Sequence, residues 1–303
     1  MSQLFTTIYL MGGLGNQLFQ IFACMAYAIR HRIQFIFPYS TELNIGIKRN
    51  TYWDSLLAKL KKFTTYNNDP NIVVQNNNLL FMLPRFNDKQ DFRYSEITLQ
   101  LKPFLLYGYY QSYKYFQKEQ DVIYTIIGLP SILANIKNEY GIYFHDNKIV
   151  ISMHFRLGDY KYKQDCHPVM PKKYYQYALQ YILDELTEDE KKLIRILYFC
   201  EKEDNDYVAN IISNLLDGDR TIRDIYDVMK ADDEIEDWKQ MVLMSCCTHN
   251  IIANSSFSWW GAYLNQNPDK KVAYPYKWFG DALKSYDVSD LHPESWKKIY
   301  YDM

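Results

Sequence analysis

The strongest constraint in this chain is a change of period around a cluster of glycines. Thr6 to Met11 is a short apolar run of β type, Gly12-Gly13-Leu14-Gly15 interrupts it, and Leu18, Phe22, Met25 and Ile29 then recur on one helical face. Ile33 to Phe37 follows as a second apolar run and stops at Pro38. Strand, glycine turn, helix and strand in that order specify a βαβ unit, whose crossover commits both strands to one parallel sheet. The alternation restarts at Lys148: Ile149 to Phe155 is an apolar strand ending in a loop with Gly158 and Pro168, and Tyr175, Leu179, Ile182 and Leu186 share a helical face before the strand Leu193 to Phe199. Val208, Ile211, Ile212 and Leu215 mark another helix, and Trp238, Met241, Val242 and Ser245 a further one. His249 to Ala253 leads into a helix beginning near Ser258, and Lys271 to Tyr274 is a last strand. The expected class is α/β, with two Rossmann-like domains, 1–147 and 148–303, facing a central cleft and divided near Asp146-Asn147. Between Thr41 and Tyr94 the pattern is weak, as in loops and short helices, and Pro103 to Tyr115 reads as a strand and loop around Gly108.

Composition removes several function classes. With 34 Lys+Arg against 36 Asp+Glu, no basic surplus is available to neutralise a nucleic-acid backbone, so nucleic acid is not the expected partner. Cys24, Cys166, Cys200, Cys246 and Cys247 have no metal-type spacing, and the adjacent pair cannot form an unstrained bridge, so they are expected to be reduced. The N-terminus lacks a basic n-region, and no stretch reaches 18 consecutive apolar residues; a cytoplasmic protein with no stable membrane span is expected. Aromatic residues reach 17%, which fits sugar-binding surfaces but equally fits an AT-rich codon bias, and the count does not decide between them. The acidic run Asp232-Asp233-Glu234-Ile235-Glu236-Asp237 reads as carboxylates favouring a helix start rather than as a metal site.

Three segments carry chemistry. Gly12-Gly13-Leu14-Gly15-Asn16-Gln17 lets a ligand approach the backbone where a helix begins, offering N–H groups to an anion, with Asn16 as a further donor; a purely structural tight turn is the other reading. His154-Phe155-Arg156-Leu157-Gly158-Asp159 lies at the carboxyl end of a strand, where His154 and Arg156 share one side and can converge on one ligand. Arg156 suits a phosphate, but an Arg156–Asp159 ion pair closing a turn, with His154 a core residue, explains the same letters. Asn254-Ser255-Ser256-Phe257-Ser258-Trp259-Trp260-Gly261 opens a helix and offers a second anion cradle, or else a plain serine N-cap with the tryptophans as packing.

Taken together, Gly12 to Gln20, His154 to Tyr160 and Asn250 to Ala262, with Pro275, Trp278 and Phe279, resemble glycosyltransferase family 11, the α-1,2-fucosyltransferases, over almost the whole chain. The resemblance implies a GT-B arrangement with an N-terminal acceptor half and a C-terminal half binding GDP-fucose, and transfer of L-fucose with inversion to the 2-hydroxyl of a galactose-terminated glycan. It implies that Arg156 holds the diphosphate, that Asn16 reaches it from the other domain, that His154 sits beside the nucleotide, and that Ser255, Ser256 and Phe257 line the donor site. Gly13, Gly15 and Asn254 fall in the matching motifs, and Asp159 is the candidate base, equally well explained as an anchor for Arg156. No essential metal is expected, since an arginine and helix N-termini can take the place of a cation at the diphosphate.

Two positions depart from the family pattern. Many members carry a second Arg where this chain has Leu157, and Phe-Ser-Asp-Asp where it has Phe199-Cys200-Glu201-Lys202-Glu203-Asp204, leaving Glu201, then Asp204, as the carboxylate to pair with guanine. These departures keep a second class open, a sugar-nucleotide or glycan-binding protein without turnover, beside a transferase of another sugar or acceptor.

Overall fold

The computed structural model describes residues 4–44, 46–67, 80–88, 92–216 and 221–302. Of the weakly patterned stretch from Thr41 to Tyr94, residues 45, 68–79 and 89–91 lie outside the described residues. The chain forms two compact units, Met1–Ile132 with Ser285–Pro293, and Leu133–Lys284 with Glu294–Met303.

The first unit is built on strands β1 (Phe5–Ile8), β2 (Gln34–Phe35), β5 (Arg85–Asn87) and β6 (Phe104–Tyr107), in the order β2-β1-β6-β5 and all parallel; β3 (Glu42–Leu43) and β4 (Arg49–Asn50) form a separate antiparallel pair. Helix α1 (Leu14–His31) follows the glycine turn. Its Phe22 meets Phe116 edge-on at 5.5 Å and Tyr124 of helix α2 (Gln120–Ile127) at 6.3 Å, so an apolar helical face is buried as the period predicts. The segment 285–293 returns to this unit: Asp290 accepts the Tyr94 N–H at 3.0 Å and pairs with Lys114 at 2.6 Å.

Helix α3 (Leu129–Glu139) contains the division, after Ile132, which is upstream of the expected boundary near Asp146-Asn147. The reason is local bonding. The Tyr143 hydroxyl accepts the Asp232 N–H at 3.0 Å, the Ile142 carbonyl accepts from Arg195 at 3.2 Å, and Glu139 pairs with Lys239 at 2.8 Å.

The second unit holds six parallel strands, β7 (Ile149–His154), β8 (Ile194–Phe199), β9 (Asp227–Lys230), β10 (His249–Ile251), β11 (Val272–Pro275) and β12 (Lys297–Ile299), in the order β12-β11-β10-β7-β8-β9. β7 and β8 pair from Ile149 opposite Ile194 to His154 opposite Phe199, and all of β8 is buried, as a two-sided parallel strand requires. Helices α4 (Lys172–Asp184), α5 (Glu188–Lys191), α6 (Asn205–Ser213), α7 (Asp237–Ser245) and α8 (Ser256–Tyr263) complete the alternation. The core lies against α4, where Phe155 stacks on Tyr175 at 4.1 Å. Edge strands β9 and β12 were not expected, since Asp227-Val228-Met229-Lys230 and Lys297-Lys298-Ile299 carry little apolar pattern. All five cysteines are free, and no helix among the described residues is long and apolar enough to cross a membrane.

Candidate active site

In the second unit the chain leaves β7 for β8 and β9 on one side, then returns to β10 on the other. Loops leaving adjacent strands in opposite directions open a crevice at the carboxyl ends, the usual ligand position in such sheets. His154 ends β7, Arg156 lies two residues beyond it, and Asn254-Ser255 follow β10. The second and third sequence segments therefore meet at one reversal point.

Arg156 projects a partly shielded guanidinium over the Tyr160 ring, 5.0 Å from its centroid. Nη2 donates to Asp159 at 2.6 Å and Nη1 donates to Glu201. Asp159 also pairs with Lys163 at 3.2 Å. Burial pushes the Asp159 carboxyl up, but Lys163 and Arg156 outweigh it and hold the group below the usual carboxylate range. The expected turn-closing ion pair is present, in a form that still leaves the fork at the surface.

Glu201 and Asp204 belong to the turn after β8 and have different surroundings. Glu201 is exposed. Asp204 is 1% exposed, accepts the Gly158 N–H at 3.0 Å and pairs with Lys161. Gly158 has φ +41°, a conformation that strains other residues, and a Cβ there would have to displace the Glu201 carboxylate.

His154 is buried, and its Nδ1 has no hydrogen-bond partner among the described residues. Burial, and then the Arg156 charge, lower its pKa to about 3, so the imidazole is neutral. Its ring lies 5.6 Å from that of Phe257 in the first turn of α8. Ser255 is the N-cap, its Oγ accepting the Phe257 N–H at 3.3 Å; the helix thus starts at Ser256, not near Ser258, because the cap side chain fixes the first turn. Ser256 occupies the first helical position and is partly exposed. Asn254 spends its amide nitrogen on the carbonyls of Pro168 at 3.0 Å and Trp278 at 3.1 Å, which makes it a loop clamp. Trp259 and Trp260 are fully buried packing.

Gly13, Gly15 and Asn16 lie in the first unit, at its own reversal point, where β1 is flanked by β2 and β6. Gly12 has φ +78°, and Gly13 is the N-cap of α1, with open space where a Cβ would stand. Gly15 is buried in the first turn. Asn16 accepts from Gln111 Nε2 at 2.7 Å, which leaves its own amide N–H groups without an acceptor among the described residues. Gln17 Nε2 donates to the carbonyls of Gly12 at 3.0 Å and Asn50 at 2.8 Å, and Gln20 Oε1 accepts the Met11 N–H at 2.9 Å. These glutamines hold the glycine turn in shape, a role their position on a helix concealed in the sequence.

The acidic run is spent locally: Asp233 accepts from Asn205 at 2.8 Å and pairs with Lys230, Asp232 accepts the Glu234 N–H at 2.9 Å, and Asp237 begins α7. Among the described residues no group of three or more His, Cys, Asp or Glu side chains is placed to hold a metal ion.

The sequence model of glycosyl transferase family 11 matches residues 1–299. The chain belongs to this family. It is 33% identical over 205 residues to the O-antigen biosynthesis glycosyltransferase WbnK of Escherichia coli, a match covering 65% of this chain and 62% of that protein, less than two thirds of its length. It is 23% identical over 318 residues to an alpha-1,2-colitosyltransferase of Escherichia coli, covering 96% and 97% of the two chains. Among solved structures, a point mutant of Arabidopsis thaliana FUT1 in complex with GDP aligns with a TM-score of 0.48 and 11% identity over 90% of this chain and 70% of that one. In this family 11 glycosyltransferase, then, His154, Arg156, Asp159 and Glu201 gather with the start of α8 in one unit, and Gly13, Gly15 and Asn16 gather at the glycine turn of the other. Asp204, the second carboxylate candidate for guanine, is buried against the Gly158 turn, and the contacts of Tyr160 and Gln111 are ones the sequence does not show.

Proposed function

We propose that this family 11 glycosyltransferase moves L-fucose from GDP-fucose to the 2-hydroxyl of a β-galactosyl acceptor, giving an α-1,2 linkage and GDP. The observation that carries the reading is Arg156, a guanidinium at the surface end of β7, with a neutral imidazole behind it and the N-terminus of α8 beside it in the sheet order. A diphosphate leaving group needs such fixed donors. As the sugar C1–O bond breaks, the electron pair goes to the β-phosphate oxygen, and preorganised N–H groups stabilise that charge most in the transition state. The acceptor oxygen bonds to C1 from the opposite face and gives up its proton. Asp159, held ionised, is the base we assign.

Metal is not required in this scheme, because guanidinium, amide and backbone N–H groups do the work of a cation. Activity in excess EDTA tests that, and complete loss restored by one specific metal would overturn it. A second reading has its own support in the colitosyltransferase relative, because colitose is the 3-deoxy counterpart of L-fucose and places the same demands on the diphosphate site. Incubating the protein with lactose and GDP-fucose or GDP-colitose separately, and following GDP release, separates the two. Release of GDP with neither donor would favour a binding protein without turnover.

A further inference from the structure

Asp204 was a candidate for pairing with guanine, but its surroundings give it other work. It is 1% exposed, and both of its oxygens face the loop that carries Arg156: one accepts the Gly158 N–H at 3.0 Å, the other pairs with Lys161. That loop, the 3-10 turn Gly158–Tyr162, has no side-chain cap of its own, and it starts at a residue with positive φ next to the Glu201 carboxylate. In a short turn with a left-handed start and no internal cap, the partner of the first N–H carries a large part of the hold. Here that is a buried carboxylate from a different loop, the one after β8.

We infer that Asp204 is a positioning residue for Arg156: through Gly158 and Lys161 it fixes the loop that presents the guanidinium to the donor diphosphate, and it does not read the base. The inference rests on the proposal that the site takes a guanosine diphosphate. Aspartate is needed and asparagine is not equivalent. An amide oxygen could still accept from Gly158, but the amide nitrogen would then face the Lys161 ammonium, donor against donor. The carboxylate oxygens are sealed from solvent by the loop they hold, so a nucleobase could reach them only by displacing Gly158 or Lys161. That leaves Glu201, whose side chain is exposed, as the carboxylate for the base.

The test compares wild type with Asp204→Asn and Lys161→Gln, the second acting from an exposed side chain should the first fail to fold. Two readouts are needed. Hydrogen exchange of residues 156–163 without nucleotide reports the loop directly, since the Gly158 N–H is the donor in question. Calorimetry with GDP and with inosine diphosphate, which lacks the guanine 2-amino group, reports the site. Asp204→Asn is expected to accelerate exchange in that loop and to weaken both nucleotides by the same factor, on the order of tenfold, as loss of one charge-assisted contact implies. Lys161→Gln is expected to do the same more weakly, and neither variant is expected to weaken GDP further in an Arg156→Lys background. A loss confined to GDP and absent with inosine diphosphate would make Asp204 a base reader and overturn the inference, as would unchanged loop exchange in both variants. If wild type binds neither nucleotide, the donor assignment falls, while the exchange measurement still decides what Asp204 holds.

Discussion

The Nη2 atom of Arg156 lies 2.6 Å from the carboxylate of Asp159, three residues further along the same loop. With Glu201 on Nη1, two carboxylates occupy the guanidinium, and in the proposed donor role an incoming diphosphate would exchange one set of charged oxygens for another. That exchange costs little reorganisation because the planar fork accepts either partner in the same geometry.

Arg156→Lys tests this geometry. A lysine keeps the charge but presents one ammonium in place of two directed donors, and loss of a preorganised donor to leaving-group charge lowers turnover by about 100-fold or more. Its ion pairs are at the surface, so thermal melting should change little. Initial rates with GDP-fucose alongside melting curves check both halves, and near wild-type turnover in Arg156→Lys would remove the residue from the chemistry.

Glu201→Gln separates base recognition from competition for Arg156. A carboxylate that pairs with guanine N1–H and the 2-amino group loses that match as an amide, so GDP binding should weaken while stability holds, the side chain being exposed. Tighter GDP binding in this variant would mean that Glu201 only competes for the guanidinium.

Asn16→Ala is expected to reduce turnover much more than it reduces GDP affinity, because a donor used only in the reacting state contributes to kcat and not to ground-state binding. Gln111→Ala should act in the same direction and more weakly, since its amide orients the Asn16 oxygen at 2.7 Å. Parallel kinetics and calorimetry check this. Equal losses in affinity and turnover would place Asn16 in ordinary ground-state binding, and no loss in either would leave the glycine segment a structural turn.

Acid should destabilise the second unit through His154. Burial and the Arg156 charge lower its pKa to about 3 in the fold, against about 6.5 in an unfolded chain. Between those values the unfolded state binds the extra proton, so stability is full above about pH 6.5 and falls as the pH drops; the loss reaches about 2 kcal/mol by pH 5. His249, lowered to about 4 mainly by burial, adds in the same direction. Urea titrations at pH 5, 6 and 7 should show the slope, and His154→Gln should flatten it. An unchanged slope would contradict a buried neutral imidazole.

How much of this was legible depended on whether a residue's role followed from its position in a pattern. Arg156 could be placed because an apolar run from Ile149 ends just before it, and a charge at the end of a buried strand has to face solvent or a ligand. Ser255 could be read as a cap because the strand and the helix on either side were both periodic. Gln17 and Gln20 carry no such signal: a polar residue on a helix looks exposed, and only the folded turn shows that both are buried against backbone groups. Asp204 is similar, since its burial comes from a loop distant in sequence. The return of 285–293 to the first unit was equally hidden, because Asp290 finds Tyr94 and Lys114 at separations of 196 and 176 residues.

The central claim is fucosyl transfer to the galactose 2-hydroxyl, and the most direct measurement is the structure of the product. The protein is incubated with GDP-fucose and lactose, and the trisaccharide is examined by two-dimensional NMR. The account predicts an α-linked fucose with a cross-peak joining its anomeric proton to C2 of galactose, formed in step with GDP release. GDP release without a trisaccharide, a linkage to any other hydroxyl, or transfer seen with GDP-colitose and not with GDP-fucose would contradict it.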